Sequence, residues 1–257
     1  MRILFTNDDG IFAPGLRTLV DIFSGAGHTA YVCAPDRERS AAGHSATLAS
    51  PLRARAMDVP GAAMAWAVDG TPADCAGLGL WLCREAGVDM VISGINRGMN
   101  QGGACVYSGT VGAAMEAAMK GVQALAVSLC VGPIQGEDRS DYAPAARVAL
   151  RVAEWMSAHP LPRGVIYNLN VPPIPYGQLK GLRPATLAPV LLQDPLYETL
   201  ADDGQGIRYR YRDGGRPPLD DPEYDVCKTD RGYATLTKLT WDFRLNADDS
   251  ELGEIGL

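Results

Sequence analysis

Residues 1–15, MRILFTNDDGIFAPG, place a short apolar run directly before two adjacent aspartates. The run RILF (residues 2–5) is typical of a buried strand, and Asp8 and Asp9 follow where that strand ends. Residues 14–25 then carry apolar side chains at helical spacing before the stop signal GAG. Two carboxylates this close repel each other unless they share a proton or a cation. The N-terminus therefore predicts a strand, a loop and a helix, and a hard divalent cation would resolve the repulsion in the loop.

The chain alternates apolar runs with helical patterns as far as residue 172. Further strands are predicted at TAYVCAP (29–35), VDMVISG (88–94), VQALAVSLC (122–130) and GVIYNLNVP (164–172). Helices are predicted at ADCAGLGLWLCREAG (73–87), GTVGAAMEAAMKG (109–121) and APAARVALRVAEWMSAH (143–159). Strands that are apolar throughout, alternating with helices, indicate an α/β fold with a mainly parallel sheet covered on both faces.

Beyond residue 172 the pattern changes. IRYRYR (207–212) and YATLTKLT (233–240) alternate with period two, which predicts antiparallel strands or a β-hairpin. We therefore divide the chain into a core of residues 1–172 and a C-terminal part of residues 173–257, which is not an independent domain.

Composition narrows the classes of partner. The 257 residues carry a net charge of −7, which argues against nucleic acid or an anionic membrane as the main partner. We expect no signal peptide and no membrane span. The six cysteines are scattered without a CxxC pair, as is usual for reduced thiols in a cytosolic protein. These features predict a cytoplasmic protein.

Polar residues follow several of the predicted strands, and ligands collect at the carboxyl ends of the strands in open parallel sheets. The candidates are Asn7, Asp8, Asp9, Asp36, Ser40, His44, Ser45, Ser93, Asn96 and Asn100. We expect these side chains to converge on one rim. Carboxylate, amide and hydroxyl oxygens suit Mg²⁺, Mn²⁺ or Ca²⁺ better than zinc. For any single cluster, a turn former or a helix cap is the competing interpretation.

A second signal lies in YSGT (107–110), which opens the alanine-rich helix. Ser108, Gly109 and Thr110 would present free N–H groups and the positive end of the helix dipole to an anion. A plain Ser or Thr N-cap is an equally good interpretation of this segment alone. Beside a metal site, the anion site favours a phosphate-handling centre.

The chain resembles the SurE-type survival protein family of metal-dependent 5′/3′-nucleotidases. The resemblance rests on ILFTNDDGIFAPGLRTL, APDRERSAAGHSAT, GTPADC, VISGINRGMN, YSGTVGAAMEA, ALAVSL and NLNVP, in that order, and more weakly on DVCKTDRGYATLTKL. It implies a Rossmann-like three-layer sandwich with a C-terminal hairpin extension that joins subunits into a homodimer or homotetramer. It also implies a nucleoside monophosphate substrate and one divalent metal ion, Mg²⁺ or Mn²⁺, per subunit.

Carried over by motif, the resemblance implies that Asp8, Asp9, Ser40 and Asn96 bind the metal, and that Ser108, Gly109 and Thr110 hold the phosphate. Asp8, Asp9 and Asn96 are then the catalytic candidates for hydrolysis by a metal-activated water. The group that protonates the leaving oxygen stays open. His44 is a candidate, although a lone loop histidine is more often a surface residue.

Two alternatives remain on the sequence evidence. A receiver-type signalling module would also bind Mg²⁺ through an acidic pair, but it needs a phosphoacceptor aspartate on a later strand, where VDMVISGIN offers serine and asparagine. A phosphatase that forms an aspartyl-phosphate usually separates its two aspartates by one residue, whereas Asp8 and Asp9 are adjacent. The family's usual GYVSITPL is replaced by GYATLTKL, which bears on oligomer geometry and substrate preference.

Overall fold

The computed structural model describes residues 1–132, 140–189, 196–202, 206–212 and 219–242. The strands in these ranges are β1 (Arg2–Thr6), β2 (Thr29–Pro35), β3 (Ala54–Ala56), β4 (Ala62–Val68), β5 (Met90–Arg97), β6 (Gln123–Leu129), β7 (Val165–Val171), β8 (Leu182–Pro184), β9 (Leu196–Asp202), β10 (Ile207–Arg212) and β11 (Ala234–Thr240). The α-helices are α1 (Pro14–Gly25), α2 (Pro72–Leu82), α3 (Gly109–Met119), α4 (Ala143–Ala158) and α5 (Asp225–Asp230).

The main sheet places β1 near its middle. The strand order in the described part of the chain is β3-β4-β2-β1-β5-β6-β7-β11-β8. From β4 to β7 all neighbouring strands are parallel, whereas β3 and β11 pair antiparallel with β4 and β7. The chain order reverses at β1, because β2 lies on one side of it and β5 on the other. A crevice at such a reversal is the usual ligand site of an open α/β sheet.

Helices cover both faces of this sheet. On one face, Phe5 of β1 is fully buried with Leu19 of α1 and Val152 of α4. On the other face, Leu4 packs with residues of α2 and α3 such as Cys75 and Ala114. Consecutive residues of β1 thus enter opposite cores, as expected for a strand that is buried on both faces. The predicted three-layer α/β sandwich is confirmed.

Every strand and helix predicted in the core is present, with bounds that differ by a few residues. Within the core, the three-residue strand β3 and the seven-residue strand β4 escaped prediction, and in the C-terminal part so did β8, β9 and α5. In the C-terminal part, IRYRYR forms β10 and pairs antiparallel with β9 as a two-stranded hairpin. YATLTKLT contributes β11, which joins the main sheet. In the described ranges, no helix has the length and apolar character needed to span a bilayer.

Candidate metal and phosphate site

The acidic pair lies where β1 ends, and main-chain and side-chain groups of three other segments meet it. Asp8 is 6% exposed, and its Oδ1 accepts a hydrogen bond of 2.5 Å from the Thr110 hydroxyl. The Asp8 carbonyl oxygen accepts from the Arg39 amide at 2.7 Å. Asp9 Oδ2 accepts from the Arg97 amide at 3.2 Å. The pair is therefore fixed to α3, to the loop after β2 and to the end of β5.

The surroundings of Asp8 and Asp9 disfavour the ionised form of both carboxylates. Burial raises the pKa of Asp8, against the opposing effect of the Thr110 hydrogen bond. Burial and the neighbouring Asp8 charge raise the pKa of Asp9 to about 7. The charge of Glu38 acts in the same direction on both carboxyls. A bound cation would remove this repulsion and restore the ionised state of both groups.

Asn96 is brought to the same rim by an irregular end of β5. The register between β5 and β6 shifts between Ser93 and Asn96. Gly94 has φ +140°, and a Cβ at this position would collide with the carbonyl oxygen of Val127, so the bend needs glycine. Asn96 Nδ2 donates to the Gly98 carbonyl at 2.9 Å. This bond uses the amide N–H and leaves the side-chain oxygen as the atom that could ligate a metal.

Ser40 lies one residue after Arg39, whose amide contacts the Asp8 main chain. Its hydroxyl donates to Glu38 Oε1 at 2.5 Å, and both side chains are exposed. Glu38 is thus a third carboxylate at the edge of the site. The sequence analysis did not name Glu38 as a site residue. Its position two residues before the metal candidate Ser40, in RERS, could have indicated it.

The N-terminus of α3 directly faces Asp8. Ser108 caps the helix, because its Oγ accepts from the Val111 amide at 3.1 Å. A Cβ on Gly109 would lie 2.9 Å from Asp8 Cβ and 3.0 Å from Pro72 Cγ, so only glycine permits this approach. The Thr110 hydroxyl is bonded to Asp8. The predicted anion site at the start of α3 is therefore adjacent to the predicted metal site, and Asp8 is the metal-site residue that contacts the helix.

Ser93 and Asn100 were also expected at this rim, and for them the expectation was wrong, whereas His44 lines a cavity together with Ser108. Ser93 is fully buried within the sheet. Asn100 is buried, and its Nδ2 donates to Ser128 Oγ at 2.8 Å. His44 Nε2 lies 3.0 Å from Glu116 Oε2 on α3. This hydrogen bond, with help from Lys120, lowers the pKa of Glu116. A one-dimensional pattern could not separate rim residues from those that the chain turns inward.

The donor set fits a hard divalent ion. In the part of the chain that the structure describes, no group of three or more His, Cys, Asp and Glu forms a metal cluster. A metal here would depend on the carboxylates of Asp8 and Asp9, together with the neutral oxygens of Ser40 and Asn96. Oxygen ligands of this type suit Mg²⁺ and Mn²⁺ and not zinc.

Comparison with known proteins gives a consistent result. The family model "Survival protein SurE" matches residues 3–192. A 5′-nucleotidase SurE of Gloeobacter violaceus is 40% identical over 94% of this chain and 90% of its own length. A 5′-nucleotidase SurE of Synechococcus sp. (strain JA-3-3Ab) is 41% identical over 100% of this chain and 98% of its own length. The crystal structure of a SurE protein from Aquifex aeolicus superposes with a TM-score of 0.81 at 29% identity, covering 99% of this chain and 98% of that chain.

Proposed function

The chain belongs to the SurE family, and from this premise we propose that it is a 5′-nucleotidase that hydrolyses nucleoside 5′-monophosphates to nucleoside and phosphate. The proposal includes dependence on a divalent metal ion and extends to nucleoside 3′-monophosphates. Its relatives from Gloeobacter and Synechococcus are named 5′-nucleotidases.

One observation supports the proposal more than any other. The carboxylate of Asp8 accepts a hydrogen bond from Thr110 at the N-terminus of α3, and it occupies space that a side chain at position 109 would need. A helix N-terminus attracts anions, and an acidic pair attracts a cation. A phosphate group carries anionic oxygens that can bind a cation and a helix terminus together. The geometry therefore suits a phosphate ester better than a ligand without such a group.

Four side chains would hold the metal ion. Asp8 and Asp9 provide the two charges, and the side-chain oxygens of Asn96 and Ser40 provide neutral ligands. A bound Mg²⁺ or Mn²⁺ supplies Lewis-acid polarisation of the phosphoryl group and lowers the pKa of a coordinated water. The Thr110 hydroxyl and the Arg97 amide orient the two carboxylates before any ligand arrives, which reduces the reorganisation that binding requires.

Of the three residues expected to hold the phosphate, Ser108 and Gly109 would contact it directly, while the Thr110 hydroxyl is already bonded to Asp8. The Ser108 oxygen accepts from the Val111 amide, so its hydroxyl proton stays available to donate to a phosphoryl oxygen. The absence of a Cβ at Gly109 lets the substrate approach the main chain closely. Water then attacks phosphorus in line with the leaving ribose oxygen. Because positioning and charge neutralisation provide most of the acceleration in phosphoryl transfer, no covalent phospho-enzyme is needed.

We also propose that the chain acts as a homodimer or homotetramer. The hairpin of β9 and β10 supports this proposal, because its apolar side chains Tyr197, Leu200, Ile207 and Tyr209 are 42–66% exposed. Exposed apolar side chains concentrated on one element are typical of an interaction surface.

The function is tested by phosphate release from a panel of nucleoside 5′- and 3′-monophosphates, with and without Mg²⁺ or Mn²⁺. We expect metal-dependent release by the wild type and its collapse, by a factor of about 10² or more, in Asp9→Asn. Asp58→Asn is the matched control, since it removes the same charge from an exposed position.

A wild-type protein that binds the metal but releases no phosphate from any monophosphate would contradict the proposal and favour a non-hydrolytic signalling role. A phosphorylated aspartate trapped during turnover would favour the aspartyl-phosphate mechanism.

A further inference from the structure

The segment between the metal candidate Asn96 and the helix cap Ser108 has no role in the proposed chemistry. We refer to residues 98–107 as the connecting loop. It fixes the position of Asn96 relative to Ser108, so its conformation sets the distance between the metal ligands and the phosphate donors. Three consecutive residues of this loop are held by side chains from distant parts of the chain.

Strand β7 holds the first of these residues. Asn168 Nδ2 and Asn170 Nδ2 both donate to the Asn100 carbonyl oxygen, at 2.8 and 2.9 Å. Asn170 Oδ1 accepts from the Asn100 amide at 2.9 Å. All three asparagines are at most 5% exposed. The main chain of Asn100 is therefore saturated by side chains in a buried setting, where each hydrogen bond is costly to lose.

Helix α5 holds the next two residues. Gln101 Nε2 donates to Thr229 Oγ1 at 3.0 Å. The Gly102 amide donates to Asp225 Oδ2 at 2.9 Å. Both contacts cross more than 120 residues of sequence, since their separations are 128 and 123. A helix from the C-terminal part of the chain thus contacts the main chain and a side chain of the loop that joins Asn96 to Ser108.

Asp225 joins three segments through its two oxygens. Its Oδ2 binds the loop, whereas its Oδ1 accepts from the Ala188 amide at 3.2 Å and from the Val226 amide at 2.9 Å. The side chain is 0% exposed. In the described ranges no lysine or arginine forms an ion pair with it, and burial raises its pKa against the three amide hydrogen bonds.

A buried carboxylate of this kind destabilises the fold, because burying a charge without a counter-ion is strongly unfavourable. A neutral residue such as Asn or Ser would suffice to bind the first turn of a short helix. Only a group with two acceptor oxygens can bind the Gly102 amide and the α5 amide at the same time. Capping α5 alone would not require a buried carboxylate at position 225. Holding the connecting loop to α5 does require its two acceptor oxygens.

We propose that Asp225 is a positioning residue for the hydrolysis reaction, which fixes the connecting loop through the Gly102 amide and so sets Ser108 relative to Asn96. This inference rests on the proposed function. On this proposal, α5 helps to order the site although it lies outside the predicted core of residues 1–172. Misplacement of reacting groups by about 1 Å can cost roughly 10²-fold in rate, so a loosened loop would be visible in turnover.

The test is Asp225→Asn in the full chain. Asparagine can keep its oxygen on the Ala188 and Val226 amides while its NH₂ group faces the Gly102 N–H, so the variant removes the loop contact selectively. Asp58→Asn is the matched control, because it makes the same substitution at an exposed position. We expect kcat of Asp225→Asn to fall by about 10- to 100-fold with a much smaller change in KM, while Asp58→Asn stays within twofold of wild type.

Hydrogen exchange provides a readout that does not depend on activity. In Asp225→Asn we expect faster exchange confined to the amides of residues 98–108, with no more loss of melting temperature than one broken buried hydrogen bond causes. If Asp225→Asn folds poorly, Thr229→Val replaces it. That variant removes the other contact of α5 with the loop, the acceptor of Gln101 Nε2, together with the bond from the Thr229 hydroxyl to the Val226 carbonyl oxygen, and leaves the carboxylate in place.

Each outcome decides the inference. Wild-type kcat in Asp225→Asn, or exchange that rises throughout the molecule with an equal loss of melting temperature, would overturn it, because Asp225 would then have no positioning role or a purely structural one. If the wild type releases no phosphate from any monophosphate, the proposed function fails separately. The exchange experiment then still shows whether Asp225 orders the loop.

Discussion

Thr110 shows how much a single hydroxyl can contribute at this site. It donates to Asp8 Oδ1 at 2.5 Å from a fully buried position. In Thr110→Val the shape is kept but a buried carboxylate loses its donor, which costs about 1–3 kcal/mol in the free energy of unfolding. We expect kcat/KM to fall by at least about tenfold, because Asp8 is no longer held toward the metal.

Thr110→Ser is the control for this prediction, since serine keeps the hydroxyl. It should retain most of the activity and stability in the same phosphate-release and urea-unfolding measurements. Equal losses in the valine and serine variants would show that the methyl group matters and that the hydrogen bond to Asp8 does not.

For single residues, the sequence predicted which residues lie at the candidate site better than which atoms they contact there. Asp8, Asp9, Asn96 and Gly109 could be placed at one rim because each follows a strand or opens a helix, and these positions converge in any parallel sheet. The bond from Thr110 to Asp8 and the nearness of Glu38 depend on how loops fold in three dimensions. No spacing rule encodes such contacts.

Among the elements, α2 supports the site through its first turn. Pro72, its first residue, lies beside Gly109 at the start of α3. Thr71 and Asp74 form a capping box, and Asp74 also accepts from the Thr47 amide at 2.9 Å and from the Thr47 hydroxyl at 2.6 Å. Asp74 thus links α2 to the loop after β2. Loss of these bonds should loosen the helix termini that meet at Asp8.

The measurable consequence is a pH-dependent loss of stability in Asp74→Ala. Partial burial acts to raise the pKa of Asp74, but the hydrogen bonds from Thr47 and Thr71 hold it below its usual value. Because the folded pKa is depressed, the stabilisation is present above the unfolded pKa of about 3.9 and is lost as the pH falls through the lower folded value. We expect Asp74→Ala to lose about 1–2 kcal/mol in urea unfolding at pH 7, a figure reduced for solvent screening. The difference should shrink below about pH 4, and a loss that does not depend on pH would contradict this account.

Element prediction succeeded where periodicity is strong and failed where it is weak. The apolar strands β1, β2, β5, β6 and β7 have clear patterns, whereas AAMAWAV of β4 consists mostly of small residues and gives little contrast. The alternation in β11 indicated an antiparallel strand, and β11 is antiparallel to β7 but parallel to β8. The alternation could not show that β7 is the neighbouring strand, because a period of two indicates which side chains share a face of the sheet and not which strand lies next to it.

For the molecule as a whole, stability and metal binding are linked through the acidic pair. The protein carries a net charge of −7, and two of its carboxylates are held together at the end of β1 with raised pKa values. A ligand that binds only the folded state stabilises it by mass action. A divalent cation at this pair would also remove a repulsion that the folded chain otherwise carries. The melting temperature therefore reports on the site without any substrate.

We expect saturating Mg²⁺ or Mn²⁺ to raise the melting temperature of the wild type after EDTA treatment. At a free concentration of about 100 times Kd the gain is about 2.7 kcal/mol, which corresponds to roughly 5–10 °C for a chain of this size. Asp9→Asn should lose this shift. Without metal it should melt at or above the wild-type temperature at pH 7, because one of two repelling buried charges is gone. Asp58→Asn should show the full shift. A shift of equal size in Asp9→Asn would place the bound ion elsewhere, since the variant removes one of the two adjacent carboxylates at the end of β1.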